Sequence, residues 1–162
     1  MERLPCDIEN RIDRYEPAVD PEQLTAHPLN FRRHPTAQRQ ALRASIERLG
    51  WVTAVVATLD GTVIDGHARV EEALSSGVSV PVLYVRMTEG EAGSAILRLD
   101  PIAGMATHDS DVLGELLSDE EWTAQEDTLR DMLDDLAATP TDFGVGDSDL
   151  DTLDACPMCG KP

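Results

Sequence analysis

At Asp65-Gly66-His67 the hydrophobic spacing of this chain changes from two residues to 3.6. Before this point Thr62 to Ile64 reads as a short strand. After it Val70, Ala73 and Leu74 fall on one face of a short helix that Gly77 can close. A strand that passes through a glycine directly into a helix belongs to an α/β arrangement, and such a junction aims backbone N–H groups and the positive end of the helix dipole at a space where an anion can sit.

The flanking segments extend the α/β pattern. Val52 to Thr58 is a β-branched, apolar strand candidate, and Asp60-Gly61 predicts the hairpin that returns it to Thr62. Val80 to Arg86 is a third strand, with Pro81 placing it at an edge or at the strand's first residues. Upstream, Thr36 is expected to cap a helix to Leu49 and Gly50, with Leu42, Ile46 and Leu49 as its apolar stripe and Arg39 and Arg43 on another face. Downstream, Thr88 and Glu91 predict a capping box for a helix with Ala92, Ala95, Ile96 and Leu99 inward, ended by Pro101. A helix over Asp109 to Leu117 follows. Ser118 and Glu121 then predict a second capping box and a helix to Ala137 with Leu129, Met132, Leu133 and Leu136 inward. The expected organisation is an N-terminal arm at 1–23 without sustained period, a small α/β (α+β) core at 24–105 with a mixed sheet and flanking helices, an acidic helical extension at 106–138, and a mobile acidic tail at 139–162.

Charge divides the same way. The formal net charge of −18 would oppose phosphate ligands if it were evenly spread, yet Met1 to Arg86 holds 10 Arg against 12 acids, while the remainder holds 3 bases against 19 acids. Arg32 to Arg48 carries five Arg against Glu47 alone. A phosphate pocket is therefore allowed in the first half, and broad nonspecific DNA binding is opposed by the second. Hydrophobic residues make up 41% of the chain but aromatics only 4%, so the core must be aliphatic. No apolar run approaches the roughly 20 residues of a membrane span. With no apolar leader and an odd cysteine count, the expectation is a cytoplasmic protein without membrane contact.

The residues of the junction suit phosphate chemistry. Gly66 lets the backbone approach a ligand, Arg69 can fork two phosphate oxygens, His67 can donate to phosphate or move a proton, and Asp65 can accept from a hydroxyl or hold a metal. The same residues also satisfy a plain reading as a tight turn with a capping Asp and solvated His and Arg. Asn30 and Arg32 stand ready to reach a phosphate or simply to close a turn. Arg39 and Arg43 offer DNA contacts, an ordinary solvated face, or a hold on the acidic half of the chain.

An ordered set of motifs adds to this. His27-Pro28-Leu29-Asn30-Phe31-Arg32, Gln38, Leu42, Ser45-Ile46, Gly50-Trp51, Val63 through Arg69 and Val80-Pro81-Val82 resemble the ParB N-terminal/sulfiredoxin superfamily, over about Leu24 to Leu133. The continuation Leu97-Arg98-Leu99-Asp100-Pro101 resembles phage and bacterial members often encoded near DNA methyltransferases. The resemblance implies nucleotide or nucleic-acid phosphate binding at Asn30, Arg32, Gly66 and Arg69. It also implies catalytic roles for Asp65, His67 and Asp100, Mg²⁺ with the nucleotide, and a bacterial or host cytoplasm. The family's sulfiredoxins carry Cys where Asp65 stands, which argues against that activity. The chain after Ala137 is too short for the helix-turn-helix of a partition clamp. Nucleotide-hydrolysing relatives place Asn after the acid at Asp100, and here Pro101 follows, which puts metal-dependent hydrolysis in doubt.

Two functions follow. One is a nuclease or phosphotransferase of DNA metabolism acting at the Asp65–Arg69 turn. The other is a non-catalytic DNA- or protein-binding adaptor that uses the acidic helices and the cysteine tail, with a DNA methyltransferase, another phage or bacterial protein, or a second copy of the chain as partner. Cys156 and Cys159 have the form of half a zinc site, which needs two further ligands. Asp147, Asp149 and Asp151 imitate a calcium loop, but Thr152 and Met158 stand where Gly and Glu are needed.

Overall fold

A computed structural model of the chain describes residues 9–104, 106 and 108–138, the Asp100 side chain excepted. Its centre is a mixed five-stranded sheet in the order β1-β5-β3-β4-β2. The strands are β1 (Ile12–Val19), β2 (Thr25–Ala26), β3 (Val55–Thr58), β4 (Thr62–Asp65) and β5 (Val80–Val85). β1 runs antiparallel to β5, β5 parallel to β3, β3 antiparallel to β4, and β4 parallel to β2. Among the described residues α2 (His67–Ser76) and α3 (Glu89–Ala103) pack on the sheet, and α1 (Thr36–Leu49) packs on α2. The other two, α4 (Ser110–Asp119) and α5 (Asp127–Ala138), pair as a hairpin that rests on α1. The fold class is the expected mixed sheet with flanking helices.

Alternation along the strands explains the two apolar layers. Val55, Ala57, Val63, Val80, Val82 and Tyr84 face one side and pack with Val70 and Ala73 of α2. Ile64 and Val85 face the other side and pack with Ala92 and Ile96 of α3. The period of two thus sends neighbouring residues to opposite helices, and burial of each Val or Ile contributes about 1.5–3 kcal/mol. On β4 the same alternation gives Asp65 to the α2 side, which is what brings its carboxylate to the start of that helix.

The β3–β4 hairpin forms around Asp60-Gly61 as its sequence predicts. Thr58 Oγ1 donates to Asp60 and accepts from the Thr62 N–H at 3.1 Å, and the hydroxyl's bond holds the Asp60 carboxyl below its ordinary range. Gly61 has φ +87°, and a Cβ there would lie 2.8 Å from the Gln23 carbonyl oxygen.

Several expectations need correction. The N-terminal arm contains β1, an edge strand of eight residues tied to β5 and to Arg86, which donates to the Asn10 carbonyl at 2.9 Å. Its mixed polar sequence hid it, because an edge strand solvated along most of its length needs little alternation. Pro81 therefore sits in an interior strand, near its start, and the pairing with β1 slips between Glu16 and Val19 opposite it, where a missing N–H costs least. Pro35, not Thr36, occupies the N-cap of α1. Pro101 lies inside α3 rather than at its end. The first capping box forms, with Glu91 accepting from the Thr88 N–H at 2.9 Å. The second does not form at Ser118 and Glu121; in the turn just before α5 the Glu126 carboxylate instead accepts from the Thr123 N–H at 3.1 Å and from its hydroxyl at 2.7 Å. Both pairs fit the same spacing rule, and Ser118 is already the last turn of α4, bonded to the Glu115 carbonyl. Leu49, Leu74, Leu99, Met132 and Leu136 are exposed where an inward face was expected.

Candidate functional site

The strand-to-helix junction opens into a cavity of about 400 Å³. Asp65, Gly66, His67, Ala68 and Arg69 form one wall, and Arg32, His34 and the Gln38, Ala41, Leu42 and Ser45 face of α1 form another. Leu129 of α5 contributes the remaining contact. Five residues singled out by sequence, Arg32, Asp65, Gly66, His67 and Arg69, therefore meet around one space.

Gly66 carries the geometry. It is the N-cap of α2 with φ +93°, and no side chain caps the helix, so the first N–H groups of α2 are left for another acceptor. A Cβ at this position would stand 2.8 Å from Arg69 Nη1 and 3.1 Å from Val55 Cγ2. The absent side chain is what lets Arg69 fold back over the turn. Its Nη1 reaches the Asp65 carboxylate at the end of β4 and the Ala54 carbonyl, both at 3.4 Å. These are long contacts for a charged pair, which leaves the guanidinium free to turn towards a stronger acceptor.

His67 is buried, and its Nε2 is enclosed without a hydrogen-bond partner among the described residues. Burial pushes its imidazole below the ordinary value of 6.5, helped by Arg32, His34 and His27 and opposed by Asp65. At neutral pH it is an uncharged imidazole able to accept or donate a proton. Arg32 is anchored through its backbone N–H, which donates to Asn30 Oδ1 at 3.2 Å, and through Nη2, which donates to the Ile96 carbonyl of α3 at 3.2 Å. Asn30 thus closes the turn that aims Arg32, and it does not itself line the cavity.

Other sequence candidates lie elsewhere. Arg43 crosses to α2, pairing with Glu72 at 3.0 Å and donating to Ser76 Oγ at 3.0 Å, which neutralises a nearly buried carboxylate. Arg39 lies on the exposed face of α1. Asp100 falls on α3, and its side chain is outside the described residues, as are Cys156 and Cys159. The acidic turn between α4 and α5 is held by Arg48, which pairs with Glu120 and donates to the Glu121 carbonyl. His34, Gln38 and Leu129 escaped sequence reading as pocket residues. For Gln38 the signal was present, since Gln38, Ala41, Leu42 and Ser45 recur on one face of α1 beside Arg32.

A second cavity, of about 770 Å³, lies under α3 and away from the junction, lined by His27, Thr58, Arg11, Arg86 and Glu91 among others. Its arginines are committed: Arg11 pairs with Glu91 at 2.8 Å and Arg86 with Asp13 at 2.9 Å. Among the described residues no three His, Cys, Asp or Glu side chains gather as a metal site. No helix of the described residues is long and apolar enough to cross a membrane.

The fold and junction define an α/β domain with an uncapped, arginine-flanked helix start. Among solved structures the chain is similar to a Pnob8-like ParB-N domain, with 17% identity and a TM-score of 0.41 over 51% of this chain and 34% of that one. It is also similar to the C-terminally truncated chromosome-partitioning protein ParB of Caulobacter crescentus complexed with CTP-γ-S, with 24% identity and a TM-score of 0.47 over 65% of this chain and 59% of that one. Both likenesses concern the path of the chain, and this chain spans less than two thirds of either structure. No protein-family model and no curated protein matches it.

Proposed function

We propose that the junction cavity binds the phosphate group of a nucleotide and that the chain is a ParB-like nucleotide-binding domain of DNA metabolism. The observation that carries this reading is the convergence, on one cavity, of the uncapped start of α2, the two arginines Arg32 and Arg69, and a buried His67 whose Nε2 has no hydrogen-bond partner among the described residues. Helix-start N–H groups and forked guanidinium donors suit phosphate oxygens. A phosphate would draw Arg69 from its long contact with Asp65, leaving that carboxylate for a hydroxyl or a cation. The residues fit a phosphate better than they fit a resident metal, for which Asp65 is the one described carboxylate on the cavity wall. If transfer or nuclease chemistry is retained, His67 is the group that handles the proton, and Mg²⁺ would arrive with the nucleotide.

The alternative adaptor reading draws on the α4–α5 hairpin, which exposes Val112, Leu116, Met132 and Leu136 beside its acids. The two readings separate in one experiment. Thermal unfolding is followed with each ribonucleoside triphosphate, with and without Mg²⁺, for the native chain and for Arg69→Ala. A ligand at about 100 times its Kd adds about 2.7 kcal/mol to a native state that alone binds it, a shift of several degrees. Stabilisation of the native chain that Arg69→Ala loses supports the phosphate site. Unchanged melting with every nucleotide removes it and leaves the adaptor.

A further inference from the structure

His27 is a polar residue in a position suited to an apolar one. Its side chain is 2% exposed, and Nε2 is enclosed without a hydrogen-bond partner among the described residues. A buried polar atom left unpaired is costly, so a residue that merely filled this space would be apolar. What the ring supplies is its other nitrogen. Nδ1 accepts from the Leu29 backbone N–H at 3.1 Å, a bond that puts the proton of the neutral imidazole on Nε2.

That bond is the first of three in one turn. The Asn30 N–H donates to the His27 carbonyl at 2.9 Å, and the Asn30 side chain accepts from the Arg32 N–H at 3.2 Å. No strand or helix lies between β2 and α1, so these bonds set the path by which the chain leaves β2 and arrives at Arg32.

The turn is also seated on α3. A Cβ at Gly93 would stand 3.2 Å from Leu29 Cδ1 and 3.7 Å from His27 Cε1. About one helical turn further on, the Ile96 carbonyl accepts from Arg32 Nη2 at 3.2 Å. Glycine is unfavourable inside a helix, and the close approach of the His27–Arg32 turn gives Gly93 its reason. Gly90 of the same helix has nothing within 4 Å of its Cβ position.

We propose that His27 and Gly93 are positioning residues of the phosphate site. His27 Nδ1 holds the turn that carries Arg32, and the missing side chain of Gly93 lets that turn seat on α3, where the Ile96 carbonyl fixes the guanidinium. The proposal rests on the phosphate reading given above and extends the site to two residues that do not line its cavity. Both act through Arg32, which does.

The test uses the full chain, inorganic tripolyphosphate as ligand in calorimetry, and thermal melting followed by circular dichroism. His27→Ala and His27→Asn both remove the ring from the core and should lower the melting temperature alike. They differ at the turn, because an Asn side-chain oxygen can accept from the N–H two residues on and Ala cannot. Arg32→Ala is expected to weaken tripolyphosphate by about tenfold or more, and His27→Ala by about three- to tenfold, a part of that loss. His27→Asn should recover most of it. Gly93→Leu, which sets a branched side chain against His27 and Leu29, should weaken the ligand to a similar degree, and Gly90→Ala should leave it unchanged. In the Arg32→Ala background, His27→Ala and Gly93→Leu should each add less than about twofold, since residues that act through one group are not additive. Asn30→Ala breaks the next bond of the same turn from a half-buried position, and it carries the same expectation if a His27 or Gly93 variant does not fold.

The inference is overturned if folded His27→Ala and Gly93→Leu, or Asn30→Ala in their place, bind tripolyphosphate as the native chain does. It is equally overturned if their losses persist undiminished without Arg32, or if His27→Asn loses as much affinity as His27→Ala, which would make the ring a packing residue. Binding that needs Arg69 and ignores Arg32 overturns it and leaves the phosphate reading standing. Failure of tripolyphosphate to bind the native chain removes both.

Discussion

The sheet layers and the α4–α5 hairpin are held by different forces. Between the sheet and α2, Val55, Ala57, Ala73, Val80 and Val82 have no exposed surface at all. In the hairpin, no apolar residue reaches that state; its buried side chain is Glu126, whose carboxyl is held below its ordinary range by the Thr123 hydroxyl and N–H. Apolar burial is insensitive to salt and scales with area, whereas ionic and capping contacts at a surface are weak and screened. The junction cavity touches both regions, with a rigid wall from β4 and α2 and a loosely attached wall from α5.

The largest effect expected from that contrast is on the sheet side. Ile64 and Ile96 are each about 1% exposed and belong to the same buried cluster between the sheet and α3. Truncation of either to Ala should cost about 2–5 kcal/mol, read from denaturant unfolding. Leu133→Ala, on the half-buried face of α5, should cost under about 1 kcal/mol. Equal losses at Ile64 and Leu133 would show that the hairpin is as much a part of the core as the sheet.

Gly66→Ala comes next. The left-handed backbone and the contact a Cβ would make with Arg69 and Val55 act together, giving an expected loss of about 1–3 kcal/mol. The same change displaces Arg69 from the turn, so tripolyphosphate binding should fall more than stability does. Gly77→Ala is a useful control: it is also left-handed, at φ +64°, but nothing lies within 4 Å of its Cβ position. It should lose stability by strain alone and keep its ligand. Equal loss of binding in both variants would mean that Gly66 serves the fold and not the site.

How much of this could be read from the sequence depended on the kind of signal each residue carried. The junction was legible because Gly66 changes the hydrophobic period at a single point, and the chemistry of Asp65, His67 and Arg69 is adjacent in the chain. Helix α1, the β3–β4 turn and the Thr88–Glu91 box were legible for the same local reason. β1 was not, because its pairing with β5 joins residues about 70 positions apart along the chain and leaves few alternating apolar side chains to betray it. The contribution of Leu129 to the pocket was equally hidden, since only the packing of α5 on α1 brings it there. Arg43 and Arg48 lie five residues apart in one basic helix, and sequence could not tell which would serve Glu72 and which Glu120. That choice is made by where α2 and the hairpin come to rest.

A smaller effect concerns His67 and is a matter of pH. Its imidazole is depressed in the fold, so the unfolded chain binds the extra proton more readily. Its stability contribution is complete above the ordinary value of 6.5 and declines as pH falls below it. Melting measured across that range should show the native chain losing stability on acidification relative to His67→Gln. A bound phosphate reverses the direction, because an anion beside the ring favours the charged form and draws the pKa upward. Ligand affinity should therefore tighten as pH falls while the unliganded protein weakens. Parallel pH profiles for the native chain and His67→Gln would show that His67 is not the titrating group of the cavity.

The smallest expected change in stability belongs to Arg48. Arg48 and Glu120 are both partly exposed, so breaking their pair with Arg48→Gln should change global stability by under about 1 kcal/mol, and by less still in high salt. Its local effect should fall on the α4–α5 turn, which Arg48 ties to α1 beside the packing of α5 on that helix. Amide hydrogen exchange within α4 and α5 should accelerate while amides of β3, β4 and β5 keep their protection, a separation that defines two units of different local stability. Added salt should produce the same acceleration in the native chain and almost none further in Arg48→Gln, since the contact it would screen is already gone. Exchange that rises together in the hairpin and the sheet would mean that the two regions open as one.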